Sequence, residues 1–491
     1  VRLRALCGLI LLSLPLFSLA HSFGVVYTLP VPFWLYGWGA SAALITSFVV
    51  VGYFSRQPHA NTPAWSLDVS QSRPVVLLRK LHFIPLLQAI SVGILALCIA
   101  SGLWGSTNAY DNFNMTFFWI VFILGFSYLT ALVGNLFDAI SPWKTLSQIF
   151  GKISTRYERG VLRYPAKLAY WPALATYMGF IWLELFGKTD PASLAQWLII
   201  YSVWNLAGAG LFGRRDWFTY CEFFAVFLRL IASMAPVDYR PGTSDADSRL
   251  NLRLPFSGIL AKPVSHISLM VFILFMLSST AFDGLHETLV WKKVFWRDLY
   301  LSHLQHLTST NPLSAFPAMA RLYGHWQSAW LLLSPLVYLA VYLFFIAATR
   351  YAAGTNATTT KLSFIQLAIR FSPSLLPIAL VYHIAHYYTL LQTQGVKIIN
   401  LISDPFGVGS NWLGTANWFR GSIIPDLTTV WHTQVILIVL GHIVSVYLAH
   451  RIALNTFATH KQALRSQLPM LILMVFFTTA GLWILSKPVG N

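Results

Sequence analysis

Long apolar runs separated by short, mostly basic loops dominate the chain. Ten of these runs come close to the ~20 residues that a helix needs to cross hydrocarbon. They lie near 31–54, 82–104, 115–137, 168–187, 194–213, 263–282, 326–349, 372–391, 430–452 and 468–486. None alternates polar and apolar positions as a transmembrane barrel strand does. The pattern predicts an all-α, polytopic helical membrane protein, with the lipid bilayer as its first partner. A further apolar stretch, 1–20, has Arg2 and Arg4 ahead of a short hydrophobic run and ends Ser18-Leu19-Ala20. That is the layout of a cleaved signal peptide. Cleavage leaves 21–491 as one integral membrane domain with His21 at its mature N-terminus.

Three stretches break the pattern. Arg214–Pro236 is amphipathic with aromatic residues on one side, which predicts a helix about 214–236 lying in the membrane interface. The loop 237–262 is rich in Pro, Gly, Ser and Asp, which predicts irregular backbone. Two long outer loops remain, 283–325 and 392–429. The second contains DPFGVGSNWLGT, whose Gly and Pro predict fixed turns.

Composition then narrows the class. The chain is 56% hydrophobic and 10% charged, against about a quarter charged in soluble domains. The net charge of +17 would suit a nucleic-acid binder, but its distribution argues otherwise. Of 33 Lys and Arg, 23 fall in the loops 55–81, 138–167, 214–262, 350–371 and 451–467, 8 in the opposite segments and 2 in the leader. This is the positive-inside bias of a membrane protein. It predicts a multi-pass protein of the bacterial inner (cytoplasmic) membrane with its mature N-terminus outside, and it implies no nucleic acid. Cys7, Cys98 and Cys221 are too scattered for a disulfide framework or a Cys-based metal site.

Orientation assigns depth to the polar residues. The run SPSLLPIALVYHIAHYYTLL, Ser372–Leu391, carries His383 and His386 on one helical face. Ionisable groups inside a span are costly and mark functional sites. His386 lies about five residues, or ~8 Å, below the outer end. Glu184 stands close to the outer end of 168–187. Asp283 follows 263–282, with His286 and Glu287 beside it. His432 starts 430–452, and His442 lies midway along it. Imidazoles with carboxylates suit a divalent transition metal, Zn or Cu, and such a metal could activate water. The candidate ligands are His383, His386, His21, His432 and His442. Glu184 and Asp283 are candidate ligands or catalytic bases.

Each residue also has a plainer role. His383, His386 and His442 suit interhelical hydrogen bonds. Glu184 suits a solvated span end, Asp283 a turn before Gly284, and His432 a headgroup-level position. A copper-binding or copper-transporting membrane protein is the alternative class, because an N-terminal His21 offers an amine and a ring nitrogen together. A haem held by His386 and His432 ranks last, since the spacings in 430–452 do not resemble a stacked two-haem arrangement.

The start HSFG, followed by LPVPFWLYGWGASAALITSFVVV, resembles that of bacterial membrane proteins named fenitrothion hydrolases. The likeness continues, in order, through GNLFDAISPWKTL, FDGL, SPSLLPIALVYHIAHYYTLL, SDPFG and GHIVSVYLAH, over most of the chain. The resemblance implies an organophosphorus hydrolase in the cell membrane. Its substrate would be a small apolar aryl dialkyl phosphorothioate, cleaved at the P–O–aryl bond to release a nitrophenol. No catalytic residue is carried over from the family.

Overall fold

Every one of the ten predicted runs forms a helix. The computed structural model describes residues 31–54, 65–240, 248–261, 264–307, 312–354, 362–419 and 425–487, with the single positions 29, 242, 421 and 423. The predicted leader and His21 lie outside the described residues. The helices used below are α1 Phe33–Phe54, α2 Phe83–Trp104, α3 Phe113–Val133, α4 Trp171–Phe186, α5 Pro191–Phe212 and α6 Phe223–Ala232. They continue as α7 Ile267–His286, α8 Pro312–Ala353, α9 Phe364–Thr393, α10 Leu427–Leu454 and α11 His460–Leu485. Among the described residues nine of these are long and apolar enough to cross a membrane. The exceptions are α6 and α4, which has 16 residues.

Local sequence sets several helix starts. Asp190 accepts from Ser193 N at 2.7 Å while the Ser193 hydroxyl accepts from Asp190 N, a reciprocal cap ahead of Pro191. Ser363 with Gln366 and Thr459 with Gln462 repeat the device at α9 and α11. Each satisfies amides that would otherwise lack partners at a helix start.

Helix α7 is the spine. Its apolar window is 89% buried, against 6% for α2. A helix that is hydrophobic on every side belongs inside. It packs against α8, α9 and α4, and α9 packs in turn against α10. Lipid supplies no hydrophobic drive between helices, so close fit and polar pairs hold such contacts. Ser334 of α8 donates to the Ser278 hydroxyl of α7 at 3.0 Å. Ser445 of α10 donates to the Ser374 carbonyl of α9 at 2.5 Å. At Gly441 of α10 a Cβ would stand 2.3 Å from Val381 Cγ2, so only glycine allows this approach of α10 to α9.

Three expectations change. The helix predicted in the interface over 214–236 breaks at Cys221–Glu222 into Arg214–Tyr220 and α6. Nine of the ten α6 residues are buried, and α6 packs against α4 and α9 inside the bundle. The apolar side of this segment is satisfied by protein and not by lipid. The loop 237–262 is not wholly irregular. Its strands β2 (Val237–Arg240) and β3 (Arg249–Arg253) pair antiparallel, and β1 (Ser66–Asp68) joins β3 to complete a three-stranded sheet. From β3, Arg253 donates to the Ala232 carbonyl at 2.7 Å, placing a cation on the C-terminus of α6. Much of the predicted outer loop 283–325 is helical, because α8 begins at Pro312 and runs 42 residues. The apolar run had marked only the lipid-facing part of that helix. Its N-terminal part packs through Trp326 on Trp291, with ring centroids 4.3 Å apart and the rings tilted by 35°. The loop after α9 does form fixed turns: the Asp404 carboxylate accepts from Val408 N at 3.1 Å and Gly409 N at 2.8 Å.

Candidate functional site

The buried Asp283, near the end of α7, is the acceptor on which the site is built. An ionised carboxylate only accepts hydrogen bonds. His386 Nε2 of α9 lies 2.9 Å from its Oδ2, and the Tyr387 hydroxyl donates to the same oxygen. His386 and Tyr387 are adjacent in sequence, so one short stretch of α9 supplies both donors. On its own helix, His286 Nδ1 reaches the Asp283 carbonyl at 2.7 Å, and His286 Nε2 lies 3.2 Å from Glu287 Oε1. Both ring nitrogens face acceptors, which is the arrangement of an imidazolium. Asp283 therefore sits among three donors or cations at the end of a buried helix, the pairing that a buried charge requires.

Glu287 lies just beyond the span. Burial pushes its carboxyl up, but the hydrogen bond and charge of His286, helped by Lys292, outweigh this and hold it below its ordinary value. A carboxyl so held stabilises the fold above its unfolded value of about 4.3 and loses that contribution as pH falls through the folded value. Glu287→Gln is expected to cost about 1 kcal/mol at neutral pH. The gap in melting temperature from the native protein, measured in detergent, should close below about pH 4.

One cavity faces this cluster. Its polar lining includes Glu184 of α4, Asp283, His383 and Tyr387, with Ser127 and Ser279 nearby. Its volume is about 30 Å3, room for one or two waters at ~10–15 Å3 each. Phe122 and Ile123 form part of the wall and belong to Thr116–Phe126, a stretch of α3 wound as a π-helix. Such winding is rare and is found most often at functional sites. Phe227 of α6 closes the cavity beside the His383 ring, at 6.5 Å between centroids. Among the described residues, neither the Glu184 carboxylate nor the His383 ring nitrogens have a hydrogen-bond partner. The Tyr128 hydroxyl donates to the His383 carbonyl at 3.4 Å.

The structure thus brings together Glu184, Asp283, His383 and His386. It does not bring the other candidate ligands to them. His432 is exposed at the start of α10, with its Nδ1 2.8 Å from the Thr428 carbonyl and its ring against Tyr36. His442 is buried ten residues further along α10, about 15 Å away, with its Nδ1 2.8 Å from the Ile438 carbonyl. One ion cannot meet both. His386 Nε2 already faces Asp283. Among the described residues no three His, Cys, Asp or Glu side chains are grouped to hold a metal ion. Of the candidate ligands, His432 and His442 therefore stand apart from His383 and His386, and His21 lies outside the described residues. For the copper alternative, His442 offers a buried Nε2 with no hydrogen-bond partner among the described residues. The role of Tyr387 escaped sequence reasoning. Its position beside His386 was the available signal.

No family model, curated protein or solved structure matches the chain.

Proposed function

We propose that the Asp283 cavity is the active site of a membrane-embedded hydrolase that cleaves the P–O–aryl bond of small apolar organophosphorus triesters. One observation carries the reading. An unpartnered imidazole and an unpartnered carboxylate face the same water-sized cavity, inside the bundle, beside the hydrogen-bonded Asp283–His386–Tyr387 cluster. The resemblance to fenitrothion hydrolases supplies the substrate class.

In this reaction His383 takes a proton from a water in the cavity. The water oxygen bonds to phosphorus, and the P–O–aryl bond breaks with its electron pair on the aryloxide. The proton held on His383 then passes to the aryloxide or to solvent, which leaves a phenol and the dialkyl phosphorothioate, or the dialkyl phosphate from an oxygen triester. Glu184 orients the water. Asp283 fixes the rings of His386 and Tyr387, both of which are held on its Oδ2. Because the described residues do not form a metal cradle, no step is routed through a metal.

An aryl triester is larger than the cavity, so its binding moves the wall of Phe122, Phe180 and Ile181 aside. The substrate partitions into hydrocarbon and reaches this wall laterally. The protein works in the bacterial inner membrane with the Asp283 end outward, as the charge bias of its loops favours.

The test is nitrophenol release from fenitrothion by proteoliposomes, with and without a strong chelator. Release should persist in chelator, and His383→Ala should lower kcat about 10²–10⁴-fold. Release abolished by chelator and restored by metal would overturn the metal-free step. No release above protein-free vesicles would overturn the hydrolase.

A further inference from the structure

At the opposite end of the bundle from Asp283, a second cavity of about 350 Å3 opens between the short helix Ser257–Ala261, the start of α9 and the end of α10. Its size is that of a site for a small organic ligand. Much of its wall is apolar, with Leu260, Ile369, Pro373 and Ile452 among the lining residues. Arg370 lines it too. Its guanidinium donates to the Asn455 carbonyl at 3.2 Å, and among the described residues it forms no ion pair.

No Asp or Glu is among the residues that line the cavity. The sequence has no Asp or Glu from 248 to 282, none between Asp298 and Asp404, and none after Asp426. Arg350, Arg451, Lys461 and Arg465 lie at the same ends of α8, α10 and α11 as this cavity. An apolar cleft lined by one guanidinium and no carboxylate, with further basic residues at the same end of the bundle, has a defined chemical complement. That complement is an anion with a hydrocarbon tail.

We propose that this cavity binds an acidic phospholipid, with its phosphate at Arg370 and an acyl chain against Ile369 and Ile452. A soluble anion would leave the apolar wall wet, and a zwitterionic lipid would leave the surrounding cations unanswered. Basic pockets between membrane helices take acidic headgroups by this pairing. The site is separate from the Asp283 cavity, so its test does not depend on the hydrolase reading.

The experiment is native mass spectrometry of the full chain after incubation with equal amounts of phosphatidylglycerol and phosphatidylcholine. Phosphatidylglycerol adducts should dominate. Arg370→Gln should lower the preference about fivefold, the effect of one basic group at a membrane surface. Arg370→Lys should keep most of it. Ser265→Trp, which fills the exposed mouth of the cavity, should reduce lipid retention with the charge intact. Equal retention of the two lipids would overturn the proposal. So would adducts unchanged in both Arg370→Gln and Ser265→Trp, or displacement of the lipid by millimolar inorganic phosphate.

Discussion

Asp283→Asn is expected to lower phenol release about 10²–10⁴-fold while leaving the protein folded. Asparagine keeps the shape and one acceptor oxygen, so a partner remains for either His386 Nε2 or the Tyr387 hydroxyl. It removes the negative charge that holds both donors on one oxygen and faces His286. The donors then compete, and the rings lose their fixed orientation at the cavity. Asp283→Ala is the harsher change. It leaves a phenol and an imidazole buried without their acceptor and takes away the charge facing His286, and breaking a buried pair costs about 3–5 kcal/mol. The two variants separate chemistry from folding. Activity should fall in both, whereas the melting temperature in detergent should fall sharply only for Asp283→Ala. Near-native activity in Asp283→Asn would remove Asp283 from the site.

The second large effect is expected at Glu222, which was not among the predicted candidates. This buried carboxylate caps α6, accepting from Phe224 N at 3.1 Å and Ala225 N at 2.6 Å, and it also accepts the Tyr201 hydroxyl from α5. Glu222→Ala removes a helix cap and leaves a buried phenol unsatisfied. The loss should be about 2–4 kcal/mol, read as thermal unfolding in detergent. Glu222→Gln keeps one acceptor oxygen and should lose less. Because α6 carries Phe227 against the His383 ring, the alanine variant should also lose catalytic rate at temperatures where it remains folded. A melting temperature unchanged in Glu222→Ala would show that α6 is held by packing alone.

Much of the membrane architecture was legible because the bilayer imposes one rule, a continuous apolar run per helix. That rule located all ten helices and placed Glu184, Asp283 and His386 near the same end of the bundle. It could not rank the helices by burial. His383 and His386 drew attention to α9, yet the most enclosed helix is α7, and its carboxylate organises the site. A fully buried helix and a lipid-facing one have the same apolar composition, since lipid and protein interior are equally dry. The same ambiguity misplaced α6, whose aromatic side reads as interfacial until Trp143, Phe180 and Phe118 are seen around it. The convergence of the imidazoles was illegible for another reason. Equal depth along separate helices says nothing of which way each ring turns, and His432 and His442 turn to backbone carbonyls of α10 itself.

The short length of α4 bears on how water reaches the site. Its 16 residues rise about 24 Å, against ~30 Å of hydrocarbon in a typical bilayer. A span shorter than its bilayer is accommodated by local thinning. Glu184 stands in the last turn of this helix, so the dimple that mismatch produces lies over the carboxylate. Headgroups and their hydration are drawn down toward a cavity that the rest of the bundle keeps dry. For the proposed hydrolase, a membrane thinned over one short helix would serve as part of the water path, and its thickness would become a variable of the reaction.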